Sequence, residues 1–133
     1  MQAGAVFYFV EETFKVSRPH YFVVLNTPSA KTGNLVLVCA ITLDLKVADR
    51  CTKLGFARET FVDVTPADYS PLKHVSLFDC NSPIVKPLEV FTQKITTKKL
   101  KSCPTISPSL LARLKFGVLA SPMVSPKIKK LLN

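Results

Sequence analysis

The sequence has no C-x-x-C pair, no apolar run long enough to cross a bilayer, and almost no acid in its last third. Each absence excludes something. Cys39, Cys51, Cys80 and Cys103 stand far apart, without the tight spacing that marks zinc sites, so no metal is expected. Cys39 and Cys80 lie in or beside apolar runs and read as buried free thiols, with a long-range disulfide left open. The longest apolar runs, 6–10, 21–25 and 35–42, fall well short of the about 18 residues a spanning helix needs. No basic residue precedes the first run, so it does not read as a secretory signal. A cytoplasmic protein without membrane contact is the expectation. Four glycines can hardly supply a phosphate-cradling loop, and no cofactor is expected.

What is present is a core and a charge. With 133 residues, 47% of them hydrophobic, the chain suits a single domain spanning 1–133. Its net charge is +9, and the distribution is uneven. Residues 1–85 hold eight Lys/Arg and eight Asp/Glu, whereas residues 86–133 hold ten Lys/Arg against the lone acid Glu89. A one-signed surface of this kind draws in polyanions and speeds their capture. Nucleic acid or an acidic protein partner is the functional class it favours, and Lys98, Lys99, Lys101, Lys127, Lys129 and Lys130 are the candidate contacts.

The first part, 4–85, reads as β. Runs 4–10, 19–26 and 34–42 are continuously apolar, which fits strands buried on both faces or curled into a barrel. Residues 59–64 alternate, as a half-buried strand does, and 75–80 is a further short strand. Residues 46–54 suit a short helix or a loop. The last part, 86–133, reads as helical and basic. Residues 87–95 form a short helix, and 98–101 a basic linker or strand. Ser107-Pro108 and Ser125-Pro126 each place a serine N-cap before a proline in the first helical position. The first should open a helix with Leu110, Leu111, Leu114 and Val118 on one stripe, ending before Ser121-Pro122. The second should open a helix over 127–132. The expected fold is mainly β with C-terminal helices: an α+β domain built as a small curled sheet or barrel backed by helices.

Arg18-Pro19 leads directly into Phe22-Val23-Val24-Leu25, and a later strand ends in Cys39-Ala40-Ile41-Thr42. The pair, in that order, resembles the MazF/PemK family of toxin endoribonucleases, with an R-P-x-x-V-[LV] strand and a later strand ending A-I-T. The resemblance implies an SH3-like barrel that dimerises. It also implies metal-independent cleavage of single-stranded RNA by the ribose 2′-OH, in a toxin–antitoxin pair with an acidic antitoxin. Arg18 and Thr42 fall on the family's catalytic arginine and threonine. A guanidinium can hold two phosphate oxygens as charge grows on them, and a hydroxyl can add a hydrogen bond. The chain departs from the family at Ala5, where an aspartate is usual. It departs again at 11–17, a segment without the glycine of the loop that precedes the R-P pair. Both departures bear on substrate recognition.

Arginine is too weak an acid to serve readily as a base. His20, two residues after Arg18, would share its face if both lie in one strand. It is the candidate for proton transfer, the alternative being a strand histidine with a structural hydrogen bond. His74 carries no comparable argument. Asp79-Cys80-Asn81 has the residue types of a nucleophilic site but reads as a strand end turning at Asn81. Glu11-Glu12 reads as a solvated turn. Phe9, Tyr21, Phe22 and Phe61 could stack on bases, with at least three of them expected in the core. Two rival readings share these features: a non-catalytic nucleic-acid-binding module on the same fold, and a basic interaction protein that docks an acidic partner.

Overall fold

The structure, a computed structural model, describes all residues except 16, 29, 31–32, 43–48, 50–51, 56 and 133; Thr42 is described in its backbone only. The described residues form a mixed α+β protein with seven antiparallel strands. They are β1 (Val6–Phe9), β2 (His20–Val24), β3 (Asn34–Thr42), β4 (Phe61–Val64), β5 (Ser76–Asp79), β6 (Ile84–Pro87) and β7 (Lys101–Cys103). Among the described residues three bounded helices accompany them: α1 (Leu88–Thr96), α2 (Pro108–Ala120) and α3 (Pro126–Lys130), with a 3₁₀ turn at Arg58–Thr60; Asp49, Thr52 and Lys53 are also helical. Among the described residues no helix is long and apolar enough to cross a membrane.

The sheet runs β4-β5-β3-β2-β1-β7. Strand β3 is long enough to serve two partners along one side. Its first half pairs with β6 through Leu35↔Lys86 and Val36↔Val85, and its last residues pair with β5 through Ala40↔Phe78 and Thr42↔Ser76. The two edges, β4 and β7, do not pair with each other, so the sheet stays open. A side chain links the neighbouring segments instead: the Tyr69 hydroxyl, just past β4, donates to the Pro104 carbonyl, just past β7, at 2.7 Å.

The continuously apolar runs have a simple cause. Successive strand residues face opposite sides of a sheet, and here both sides are covered. One face carries Val6, Val23, Val36, Val38 and Phe78 and packs on Leu110, Leu114 and Val118 of α2. The other carries Phe7, Phe9, Phe22, Leu35 and Leu37 and packs on Phe91 of α1. Phe7 and Phe9 meet Phe91 edge-on, at 5.0 and 5.8 Å between ring centres.

The five strands expected from the first part of the sequence are present: β3 has the expected bounds, β4 starts two residues late, and the other three are shorter at both ends. Two more follow: β6 straddles the boundary at residue 85, and β7 begins at Lys101, the last residue of the stretch read as a basic linker or strand. Residues 84–87 pair with β3, and β7 continues from the basic stretch to pair with β1, so the N-terminal strand is completed by the C-terminal third. The short helix read over 46–54 falls for the most part outside the described residues. Both serine caps form: Ser107 Oγ accepts from Leu110 N–H at 3.1 Å and Ser125 Oγ from Ile128 N–H at 3.3 Å. Leu110, Leu114 and Val118 are buried as the stripe requires, with Leu111 half-buried. Gly117 lets α2 come close. A Cβ there would stand 2.8 Å from Cys80 Sγ and 3.1 Å from the Glu59 carbonyl oxygen.

Candidate functional site

Pro19 cannot donate to a ladder, and β2 begins at the next residue, His20. Arg18 therefore lies before the strand, so the condition under which it would share a face with His20 is not met. The two are brought together another way. Arg18, Pro19 and His20 line a cleft of about 270 Å³ with Tyr8 of β1, Tyr21 of β2, Ala40 and Ile41 of β3, Ser76 of β5, and the turn residues Leu72, Lys73 and His74. Thr42 pairs with Ser76 across β3 and β5, which places its backbone beside the cleft. Its side chain lies outside the described residues. The cleft thus gathers the ends of four strands, and with them two cationic side chains, two imidazoles and two phenols.

Each group has a local reason for its position. Tyr8 and Tyr21 are directly opposed on β1 and β2, and their rings stand 4.6 Å apart with a 36° tilt. The Tyr21 hydroxyl donates to the Pro71 carbonyl at 3.1 Å, tying the strand to the turn that carries Lys73 and His74. Burial, then the nearby Cys103 and Tyr8, raises the Tyr21 phenol above its ordinary pKa. It stays neutral and able to donate. His20 is half-buried, with its ring edge-on to Phe14 at 5.7 Å and to Phe22 at 6.5 Å. Among the described residues its Nδ1 is buried without a hydrogen-bond partner, and the aromatic rings pack beside it. Ser76 Oγ donates to the His74 carbonyl at 3.2 Å, which steadies the turn before β5.

The six C-terminal lysines lie outside the cleft lining. Lys101 comes nearest in register: it is opposite Tyr8 on β7, and directly opposed residues project from one face. Lys101, Tyr8 and Tyr21 therefore make a row across three strands. Lys98, at φ 60°, and Lys99 sit in the exposed turn that leads into β7. Lys127, Lys129 and Lys130 belong to α3. The cleft's cations are Arg18 and Lys73, both exposed.

Of the four aromatics weighed for stacking, Phe9, Phe22 and Phe61 are buried, as expected for at least three, and Tyr21 alone lines the cleft. Sequence reasoning missed Tyr8, Lys73 and Ser76 and set His74 aside. Tyr8 had one signal, as the only side chain in 6–9 with a polar end. The other three had none, because their place depends on how β5 is registered against β3.

The remaining constellations are structural. Cys80 is buried, its Sγ 3.6 Å from the Leu114 carbonyl, and burial pushes its thiol up to about 12. Asn81 donates from Nδ2 to Thr60 Oγ1 at 2.8 Å and accepts at Oδ1 from Ser121 Oγ at 2.6 Å, pinning the end of β5 to the 3₁₀ turn and α2. Glu11 corrects an expectation. It is not solvated but 2% exposed, and it pairs with Lys86 of β6 at 2.8 Å. Its neighbour Glu12 is exposed. Cys39, Cys80 and Cys103 are free thiols, and Cys51 lies outside the described residues. Among the described residues no group of three or more His, Cys, Asp or Glu is placed to hold a metal ion.

Comparison with models of protein families finds none that matches this chain, and comparison with curated proteins also finds no match.

Proposed function

We propose that the chain is an endoribonuclease of MazF/PemK type, a cytoplasmic toxin that cleaves single-stranded RNA without a metal and is restrained by an acidic antitoxin. In this reading its open sheet is a relaxed form of the SH3-like barrel, and the active molecule is a homodimer. The supporting observation is the joint lining of one cleft by Arg18, Lys73, His20 and His74.

The ribose 2′-oxygen attacks the adjacent phosphorus, a P–O bond forms, and the bond to the 5′-oxygen breaks. A cyclic phosphate and a 5′-OH end result. The 2′-hydroxyl proton must leave and the 5′-oxygen must gain one. Arg18 stays charged through both events and offsets the charge growing on the phosphoryl oxygens. Two imidazoles supply what arginine cannot, one accepting the first proton and the other delivering the second. Tyr8 and Tyr21 offer a face on which an unpaired base stacks. Lys101, with Lys98 and Lys99 before it, extends the positive charge for the backbone. Thr42 is assigned the assisting hydroxyl by the resemblance alone.

The deciding experiment is incubation with a long single-stranded RNA in EDTA, beside Arg18→Ala. Cleavage by the parent to cyclic-phosphate and 5′-OH ends, lost in the variant, is the expected result. Intact RNA with a salt-sensitive mobility shift overturns catalysis in favour of a binding module. Intact RNA without a shift overturns both.

A further inference from the structure

Helix α2 buries Leu110, Leu114, Gly117 and Val118 against the sheet. Its opposite side is not polar. Ala112, Phe116 and Leu119 recur at i, i+4 and i+7, which places them on one stripe, and Met123 follows just past the helix end. Phe116 is 61% exposed, Leu119 42% and Met123 62%. Ala112, Arg113 and Phe116 also line a groove of about 490 Å³ whose other wall is Glu59, Phe61 and Val62. At about 100° per residue, Arg113 falls on one flank of the stripe and Lys115 on the other. No acid occurs anywhere in residues 90–133. Glu59 is the groove's one acidic lining residue, and nearby Asp63 is already paired with Arg58 at 2.9 Å.

We propose that this face docks an acidic amphipathic helix of a partner protein. Charge decides against a second copy, because a two-fold contact through this stripe sets Arg113 and Lys115 against themselves. The edge of β4 decides against an added strand. At Phe61 and Asp63, the residues whose backbone points away from β5, the Phe61 carbonyl accepts from Arg58 Nη1 and the Asp63 carbonyl from Arg113 Nη2 at 3.2 Å. The Phe61 N–H is given to the Arg58 carbonyl. An edge with these groups engaged offers little ladder to extend, so the occupant binds through side chains, as a helix in a groove does. The surface shares no lining residue with the Arg18 cleft. It rests on the partner half of the proposed function and not on the catalytic half.

The test uses the full chain and a synthetic amphipathic helix with leucines on one face and flanks of Glu, Gln or Lys in three versions, read by fluorescence anisotropy. The Glu version binds roughly tenfold tighter than the Gln version, and the Lys version does not bind. Phe116→Ser weakens binding of the Glu version by roughly tenfold or more while melting, and any RNA cleavage, stay as in the parent. Arg113→Gln with Lys115→Gln removes the preference for Glu over Gln. Equal binding of all three versions, or binding of none, overturns the proposal. So does an unchanged affinity in Phe116→Ser, or a self-association that Phe116→Ser abolishes.

Discussion

Tyr8 and Tyr21, opposed across β1 and β2, hold their rings 4.6 Å apart on the wall of the cleft that Arg18 lines. Tyr21 is anchored through its hydroxyl to Pro71, whereas Tyr8 is, in the proposed function, the ring that an incoming base meets. Tyr8→Ala is expected to weaken single-stranded RNA binding by about 1–3 kcal/mol, the usual worth of one stacked base. Titration of a labelled oligonucleotide checks this. An affinity equal to the parent's removes Tyr8 from the site.

His74 is exposed and reaches the cleft from a turn, so replacing it leaves the core alone. If two imidazoles divide the proton transfers, each is needed for cleavage. His74→Ala and His20→Ala are then each expected to lose roughly 10²–10⁴ in rate. A cleavage rate unchanged by His74→Ala would show that the imidazole takes no part in proton transfer.

Lys86 balances a carboxylate that is almost wholly out of water. Lys86→Ala leaves Glu11 buried and unpaired, a change that costs about 3 kcal/mol or more. Urea unfolding should show the loss, and adding Glu11→Gln should recover much of it. A single variant as stable as the parent would mean that water already reaches Glu11.

Cys39 and Cys80 both titrate near 12 in the fold, mainly because burial disfavours the thiolate, against an ordinary value of 9.0. The folded state therefore keeps these protons where the unfolded chain gives them up. Their contribution to stability is complete below pH 9 and is lost progressively as pH rises from there toward 12. At about pH 10 each thiol should cost about 1 kcal/mol. Unfolding at about pH 8 and 10, compared with a variant carrying Cys39→Ala and Cys80→Ala, checks the sign. A parent that loses no more stability than the variant contradicts it.

Much of the fold was legible locally. Continuous apolar runs marked β1, β2 and β3, because strands covered on both faces need no polar side. Two serine–proline pairs marked α2 and α3, because cap chemistry acts within one turn. Strand β6 was not legible as a strand, and β7 was touched only by the open reading of 98–101 as a linker or strand. Ile84-Val85-Lys86-Pro87 and Lys101-Ser102-Cys103 have weak patterns of their own and are strands because β3 and β1 offer them edges. The open sheet was also a tertiary outcome, since closure depends on whether β4 and β7 meet, and they lie at opposite ends of the strand order.

The site divides along the same line. Sequence by itself determined the residue types and the charge concentrated after residue 85, which follow from composition, while a motif resemblance offered Arg18, and with it the nearby His20, as candidates. Only the tertiary structure decided that Tyr8, Lys73 and His74 join them, that Glu11 is paired inside, and that Phe116 is left outside. Those outcomes depend on strand register and helix placement, which sum many weak long-range contacts that no short stretch of sequence contains.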